Sequence, residues 1–522
     1  MAVVDLSKIQ GPTEVDTKVR TGLSKFVYDN LLLPKLLYFV ITCVIYSTHT
    51  FALHLLVDDL GLKMREAGYI FALNFLNFFG SIFWGYFADR TGLHKHILIA
   101  CCVLYALCFT LSSLGKINDG KDKALLYIVT FDKQKDRASL LLYTGVFFGL
   151  AQFFCAALFP LIDNQVVQMI SSHPRFSKEV FGRIRLWSTL GHTFITLMLG
   201  LLKDQLPDTL KKLAMTVCLL VSTFLFIVLA ILAIKTRRIK KGKAGPAAAP
   251  QCYDSQGRPI SPIKALLSKP SYLFFLVFIF LASFNRSIMS SFYPYFLSMI
   301  QTHNAGFTAH KTQNNLLTAA VKIPVSISEI VVFFFGKPLM AYLGVHWMLI
   351  LAQVSGIVRV LVFAAIPYDD NSWMCSYAVE LLKGINTAFL ITASVKIIVE
   401  LTPKGAESSG QSIFSGVYSG FSMGVASLVG GLLCDPEIVG TEKVITGNAK
   451  YDSTVARIKA FQLMFWVTVA ISTAGLILYF VKYALIEKKL TFKFPVGDHH
   501  SKPSAVAPAP AAAEKEQAPA KN

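Results

Sequence analysis

The sequence predicts an all-α membrane protein that crosses the bilayer with twelve helices arranged in two bundles of six. Of its 522 residues, 54% are hydrophobic and only 16% are charged, whereas soluble proteins carry about 25% charged residues. A soluble protein of this size could not cover its surface with so few charges. The apolar residues also gather in runs of about 20, the length that a helix needs to span the hydrocarbon core.

The apolar runs follow one another from residue 34 to residue 483. The polar residues that precede the first run do not have the pattern of a cleavable signal peptide, so we expect the first helix to direct insertion. We place the twelve predicted helices at residues 34–57, 67–88, 96–114, 139–163, 184–202, 213–234, 271–297, 315–336, 346–367, 373–399, 409–434 and 460–483.

A basic connection divides the chain into two halves. It begins with Lys235, Arg237 and Arg238 and contains an Ala/Pro run with few apolar residues. The tail is rich in Ala, Pro and Lys, a composition that cannot bury a core and predicts disorder. The predicted regions are a segment 1–33, a six-helix bundle 34–234, a linker 235–270, a second bundle 271–485 and a tail 486–522.

The distribution of Lys and Arg predicts the orientation. The connections on the side of the two termini carry more of these residues than those on the opposite side, which places both termini in the cytoplasm. The net charge of +19 lies mostly in these short connections, so we expect lipid headgroups and no nucleic acid as partners. We favour the plasma membrane and keep an internal organelle membrane as the alternative.

The connection between the second and third helices, residues 85–95, reads GYFADRTGLHK. We expect Gly85 to let another helix approach closely and Gly92 to permit a tight turn. Asp89 and Arg90 lie where the chain leaves the lipid and can pair or bind a helix terminus. Lys95 ends the pattern.

This connection resembles the signature loop of the major facilitator superfamily, G-x-x-x-D-R-x-G-x-x-[KR]. The resemblance implies two six-helix halves that move against each other, with the loop holding the halves together in one access state. The equivalent loop of the second half, residues 336–344, is a degenerate copy.

Further segments resemble the lactose permease and nucleoside–proton symporter branch of that superfamily. They are residues 160–163 (PLID), 181–191 (FGRIRLWSTLG), 410–420 and 430–431. The chain departs from the branch pattern at Ser188, where the pattern has Gly, and at His192, where it has Trp. The resemblance implies that Asp163 and Arg185 hold a substrate between them, and a structural ion pair is the alternative.

Charged residues inside the predicted helices mark a second group of candidates. A charge at mid-membrane costs at least about 2.5–3.5 kcal/mol, so such residues face a partner or a water-filled cavity. Lys322, Ser326 and Glu329 recur at helical spacing and share one face. Arg286 lies midway along the seventh helix, where it contacts an anionic or carbonyl-bearing ligand, makes an internal ion pair, or lies at a helix end displaced toward the outer interface. Asn74 either binds substrate or joins two helices.

The resemblance extends to helices 8 to 10. Glu329 matches the acid of helix 8 and Arg359 matches the arginine of helix 9. In helix 10, Lys383 stands where lactose permease has a histidine, and Asn386 stands where it has a proton-carrying glutamate. An amide cannot carry a proton, which leaves Glu329 and Asp163 as candidates for coupling. We expect Glu329 and Lys383 to replace the acid–histidine pair of that branch.

These features predict a secondary active transporter for a small polar solute. We favour a sugar or a nucleoside as the solute and keep proton coupling as an option. We expect a monomeric chain without a cofactor. The sequence lacks a phosphate-binding G-x-x-x-x-G-K-[ST] loop and an HExxH motif, so we expect neither an ATP-driven pump nor a membrane protease or other enzyme. The alternatives are a transporter of an organic anion and a non-transporting sensor or scaffold with the same fold.

Overall fold

The computed structural model describes most of the two predicted bundles. The described residues are 22–118, 129–132, 136–171, 173, 181–233, 252–253, 259–260, 262–305, 315–366, 372–402, 407–435 and 449–490. The basic stretch after residue 233 and the tail from residue 491 lie outside them, as does the predicted segment up to residue 21. The predicted boundaries of the linker and the tail therefore stay predictions.

Twelve long helices make up the described part of the chain. Those of the first half are α1 (Leu32–Asp59), α2 (64–91), α3 (His94–Ser113), α4 (137–171), α5 (Phe181–Gln205) and α6 (Asp208–Ala233). Those of the second half are α7 (Pro270–Ala305), α8 (Asn315–Phe334), α9 (Val345–Ala365), α10 (Ser372–Leu401), α11 (407–433) and α12 (449–486).

Several of these helices have irregular turns. The regular pieces within them are Leu32–His49, Ala52–His54, Met64–Ala72, Phe75–Thr91, Arg137–Cys155, Leu158–Ser171, Asn315–Ala320, Lys322–Phe334, Glu407–Ser415, Ser422–Leu433 and Ala449–Phe480. Wider π-helical turns occupy Leu55–Asp59, Gly416–Phe421 and Val481–Ile486. Membrane helices tolerate such breaks where neighbouring helices satisfy the backbone.

The remaining elements are short. Three helices, Gly22–Asp29, Pro262–Leu267 and Gly336–Leu343, precede or join the long ones. Strands β1 (Gly115–Asn118) and β2 (Val129–Asp132) pair in parallel between α3 and α4, and β3 (Cys252–Tyr253) and β4 (Pro259–Ile260) pair antiparallel between the halves. The fold is all-α, with strands confined to connections.

Eleven of the described helices are long and apolar enough to cross a membrane. They coincide with eleven of the twelve predicted segments. The remaining predicted segment, 184–202, lies in α5, which has 25 residues and is therefore about 37 Å long at 1.5 Å per residue. That length is sufficient, but α5 carries Arg185, His192 and Lys203 and is less apolar than the others. Its packing explains the difference, because α5 lies between the two halves.

The two halves meet along matching pairs of helices. Within the first half, α1 packs against α5 and α6, and within the second, α9 packs against α10 and α12. Between the halves, α2 packs against α11 and α5 packs against α8. The large exposed apolar side chains lie on outward faces, for example Leu142, Phe224 and Leu232, where a bilayer would cover them. The protein is a multi-pass integral membrane protein.

The halves are joined most closely at the end of the bundle opposite the start of α1 and the end of α12. We call this the distal end and the other the terminal end. Gly68 of α2 and Gly431 of α11 bring two backbones into contact there: a Cβ on Gly68 would lie 2.6 Å from the Cα of Gly431. Asp204 of α5 accepts hydrogen bonds from the backbone N–H groups of Asn315 (2.9 Å) and Leu316 (2.8 Å), which open α8.

Further polar contacts close the distal end. His54 of α1 bonds to Ser298 of α7 at 2.9 Å. The hydroxyl of Tyr295 donates to Asp58 at 3.0 Å. Each contact joins one half to the other, so opening this end requires several hydrogen bonds to be exchanged for water.

We predict that Gly431→Ala opens the distal end. The added Cβ would lie 2.5 Å from the Cα of Gly68, and overpacking of this kind costs about 1–3 kcal/mol. A cysteine placed at the buried Ser298 should then react with a water-soluble maleimide roughly tenfold faster, the factor that 1.4 kcal/mol represents. The chain without that cysteine gives the background from the native cysteines.

Gly145→Ala is the matched control, because its Cβ would meet Leu73 at an ordinary 3.6 Å. Equal labelling in the Gly431→Ala and Gly145→Ala proteins would contradict the contact between α2 and α11.

Candidate functional site

Asp163 and Arg185 come together near the terminal ends of α4 and α5. The Nη1 atom of Arg185 lies 3.8 Å from Asp163 Oδ2, and the side chains of Arg185 and Asp163 are 40% and 28% exposed. The hydroxyl of Tyr38 on α1 donates to the other oxygen of Asp163. The ion pair is therefore loose and open to solvent on one side, which leaves hydrogen-bonding capacity on both groups for a ligand.

Lys322 and Glu329 form an ion pair within α8. Their charged atoms lie 3.7 Å apart, and both side chains are largely buried. Ser326, on the same face, hydrogen-bonds to Thr193 of α5. The predicted shared face is confirmed, and it points across the interface between the halves.

A second ion-pair cluster lies between α9 and α10. Arg359 Nε donates to Glu380 at 2.7 Å, and the two side chains are 3% and 1% exposed. Lys383, one turn after Glu380, lies 4.0 Å from the other carboxylate oxygen. Both basic residues therefore share one carboxylate.

The expected pair of Glu329 with Lys383 is wrong for this conformation. Among the described residues, Glu329 pairs with Lys322 and Lys383 pairs with Glu380. The reason is spacing, because each acid has a base at i−7 or i+3 on its own helix. α8 and α10 nevertheless pack closely, since a Cβ on Gly384 would lie 2.5 Å from the Val325 carbonyl oxygen.

Arg286 lies at the middle of α7 beside α11. Its Nη2 donates to the backbone carbonyl of Tyr418 at 2.8 Å, and its guanidinium lies 4.2 Å from the centre of the Tyr418 ring. No carboxylate contacts Arg286 within the described part of the chain. Its Nε is buried without an acceptor there. The internal ion pair considered for Arg286 is therefore absent from the described residues.

A stacked aromatic pair joins α1 and α5. Tyr46 of α1 stacks on His192 of α5, with ring centres 3.5 Å apart and planes 8° apart. On α7, Ser290 lies one turn after Arg286 and lines a cavity together with His49 of α1. Arg286 therefore lies one turn from the interface between the two halves.

A small cavity with both polar and apolar walls lies in the same interface, toward the distal end. Its volume is about 20 Å³, enough for one water molecule. Thr48, His49, Gln152, Ser291 and Asn74 are among its lining residues. Asn74 Nδ2 donates to the carbonyl of Phe71 on its own helix at 2.7 Å. Asn74 therefore borders the space between the halves.

Asn386 has a structural contact. Its amide donates to the Ala352 carbonyl of α9 at 2.6 Å, and it is packed so closely that a Cβ on Gly356 would lie 2.7 Å from the amide nitrogen. The side chain therefore fastens α10 to α9.

The signature loop makes its described contacts within the first half. Gly92 adopts a left-handed conformation with φ of 67°, as the tight turn requires, and Lys95 donates to the Ile231 carbonyl of α6 at 3.1 Å. Arg90 is exposed and contacts Tyr86. The side chain of Asp89 lies outside the described parts.

The expectation for Gly85 is wrong in this conformation. Among the described residues, a Cβ at this position would meet nothing within 4 Å, because no described helix packs closely against that face of α2 when the halves are joined at the distal end. The described contacts of Arg90 likewise do not reach the second half.

Sequence reasoning missed several residues that make the contacts described above. Tyr38, Asp204 and Tyr418 each bond to a residue on another helix. Tyr38 and Tyr418 are aromatic residues in apolar runs, where nothing in the pattern separates a partner of a charge from a packing residue. Asp204 falls at a predicted helix end, where an acid is ordinary. In the described residues no group of three or more His, Cys, Asp or Glu side chains could hold a metal ion.

We predict strong energetic coupling between Arg359 and Glu380. Removing one partner of a buried pair leaves an uncompensated charge and costs about 3–5 kcal/mol, so Arg359→Gln and Glu380→Gln should each lower the free energy of unfolding by about that amount. The double variant should lose less than the sum of the two. Denaturant titration in detergent measures all three values.

The control is the half-exposed pair Asp163 and Arg185, where the same comparison of two single variants with the double variant should give a coupling free energy of about 0–1 kcal/mol. Additive losses at Arg359 and Glu380 would show that the two charges are already solvated.

Known proteins share sequence features and architecture with this chain. The profile of the MFS_1 like family matches residues 31–441. A curated relative, the maltose permease of Geobacillus stearothermophilus, is 25% identical over 285 residues, which are 55% of this chain and 63% of the permease. The chain thus spans less than two thirds of the length of that relative.

Solved structures share the fold at low identity. The nucleoside transporter NupG superposes with TM-scores of 0.64 and 0.61 in two structures, at 14% identity, over 87% and 86% of this chain and 99% and 98% of the transporter. A bacterial homologue of the human lysosomal transporter Spinster, in an inward-facing and unoccupied conformation, gives 0.57 at 13% identity over 90% of this chain and 99% of the homologue. The family match covers most of the chain, and the chain belongs to the MFS_1 like family.

Proposed function

We propose that this protein is a secondary active transporter that moves a small polar solute by alternating access. The observation that carries the proposal is the set of charged residues held inside the membrane between two six-helix halves. Charges of this kind are costly in hydrocarbon and mark solute or ion pathways. Two halves that rock about a midplane site are the arrangement by which transporters of this architecture work.

Asp163 and Arg185 are the proposed solute contacts near the terminal end. Their loose, half-exposed pair and the neighbouring Tyr38 offer donors and acceptors to a hydroxyl-bearing ligand. Arg286 and Asn74 border the space deeper in the interface. The maltose and nucleoside names of the relatives fit the sugar or nucleoside that we favour, and organic anions stay as the alternative.

Proton coupling is proposed for Glu329. Protonation of this carboxyl would release Lys322, its partner at 3.7 Å, and both lie beside the contact between Ser326 and Thr193. A change of charge on α8 would therefore act at the contact between the halves. Asp163 is the second candidate, through its bonds to Tyr38 and Arg185.

The charge pattern supports a proposal for the orientation of the protein in its membrane. We propose that both termini face the cytoplasm, because Lys and Arg are more frequent on that side. The distal end, which is closed here, then faces away from the cytoplasm. We also propose a monomer in the plasma membrane that acts on a small molecule and performs no enzymatic reaction.

We predict that a solute of one chemical class raises the melting temperature of the purified protein. A ligand at 100 times its Kd stabilises the folded state by about 2.7 kcal/mol. Sugars, nucleosides, nucleotides and organic anions form the panel, and Asp163→Asn and Arg185→Ala should each lose the shift. Uptake into proteoliposomes at two pH values, with Glu329→Gln as the coupling variant, then tests transport.

A shift that survives in both variants would contradict the site at Asp163 and Arg185. No shift and no uptake across the panel would instead favour a sensor or scaffold, since such a protein keeps the fold without a ligand-dependent opening cycle.

A further inference from the structure

Three acids of the membrane helices are engaged by bases. Asp163, Glu329 and Glu380 each have at least one basic partner in the described residues. The contacts are Asp163 with Arg185, Glu329 with Lys322, and Glu380 with Arg359 and Lys383. Around these acids and at the middle of α7, two positive charges have no carboxylate of their own in the described part of the chain. One belongs to Arg286, and the other is shared by Arg359 and Lys383.

Arg286 is the clearer of the two excess charges. The membrane-spanning part of α7 runs from Pro270 to Gln301, so Arg286 lies at its middle. Its described partners are a carbonyl oxygen and an aromatic face, both from Tyr418. These dipoles stabilise a guanidinium, but they do not neutralise it.

Lys383 is the second excess charge. Arg359 holds Glu380 at 2.7 Å, whereas Lys383 lies 4.0 Å from the same carboxylate, the weaker of the two contacts. Lys383 is also 21% exposed, against 3% for Arg359. The ammonium group of Lys383 is therefore the one that reaches open space.

The two positive charges lie on neighbouring parts of α7 and α10. A Cβ on Gly356 of α9 would lie 3.4 Å from the amide nitrogen of Asn285, the residue before Arg286, and 2.7 Å from that of Asn386, three residues after Lys383. Ser290, one turn after Arg286, lines the cavity in the interface between the halves. A ligand that enters this interface beside α7 and α10 could therefore reach both charges.

We propose that the transported sugar or nucleoside carries an oxyanion, a carboxylate or a phosphate, which binds to both Arg286 and Lys383. An uncompensated charge at mid-membrane is costly, and an oxyanion accepts charge-assisted hydrogen bonds from a guanidinium and an ammonium group. The hydroxyl-binding pair Asp163 and Arg185 can hold the other end of the same molecule. This proposal rests on the proposed transport function and names the class of its solute.

The test uses matched solutes that differ only in an anionic group. Glucose is compared with glucuronate and with glucose 6-phosphate, and uridine is compared with uridine monophosphate, by thermal shift and by Kd on the full-length purified protein. The charged member should bind at least tenfold more tightly than its neutral partner. The carboxylate and phosphate arms show which oxyanion fits.

Variants assign the effect to the two residues. Arg286→Gln and Lys383→Gln should each weaken binding of the charged member at least tenfold more than binding of the neutral member. Arg286→Lys, which keeps the charge, should restore part of the affinity and serves if the glutamine variant does not fold. Lys396→Gln, an exposed lysine on the same helix as Lys383, should bind as the parent does.

The outcomes separate this proposal from the proposed function. Equal binding of charged and neutral members, with loss only in Asp163→Asn, would overturn the oxyanion and leave transport standing. An anion preference that persists in Arg286→Gln and Lys383→Gln would overturn the assignment to these residues. If no solute binds and none is taken up, both the oxyanion and the transport function fail.

Discussion

The cost of placing charge in hydrocarbon governs this structure. Twelve helices bury their backbone polar groups internally, but Asp163, Glu329 and Glu380 add full charges where lipid cannot solvate them. Each is held by bases on the same or a neighbouring helix. The less tightly held charges lie along the interface between the two halves. The interface is therefore the part of the fold that must contain water or a polar ligand, and this requirement positions the site.

The two ends of the interface differ in how closely they are packed and in their polar contacts. At the distal end, Gly68 and Gly431 allow two backbones to touch, and Asp204 bonds to the first N–H groups of α8. Nearer the terminal end, Asp163 and Arg185 stay half-exposed, and Gly85 has open space beside it. The signature loop has its described contacts within its own half. This asymmetry is what an alternating-access protein closed at one end requires.

Much of the fold could be predicted from the sequence, because membrane helices are recognisable by the length and hydropathy of their apolar runs. All twelve segments correspond to described helices, and even α5 was placed despite its Arg185, His192 and Lys203. The boundaries of helix pieces could not be predicted, since the π-turn at Gly416–Phe421 depends on how α11 packs against α2. The family resemblance led to the correct superfamily through residues 85–95.

The sequence predicted which residues belong to the site better than it predicted which of them pair with each other. The shared face of Lys322 and Glu329 follows from helical spacing, and the structure confirms it. The pairing of Glu329 with Lys383 was wrong, because each residue has an oppositely charged partner on its own helix, and the sequence does not show which of two available partners a side chain takes. The contact of Arg286 with Tyr418 joins residues 132 positions apart, and no local pattern signals it.

The most direct test of alternating access is a pair of distances measured by electron spin resonance. One pair of labels would replace Leu93 and Tyr342, exposed residues of the equivalent terminal loops, and the other would replace Leu210 and Met374, exposed at the distal end. With the solute that gives the largest thermal shift, the terminal distance should shorten while the distal distance lengthens. Binding that leaves both distances unchanged, or changes them in the same direction, would contradict the account.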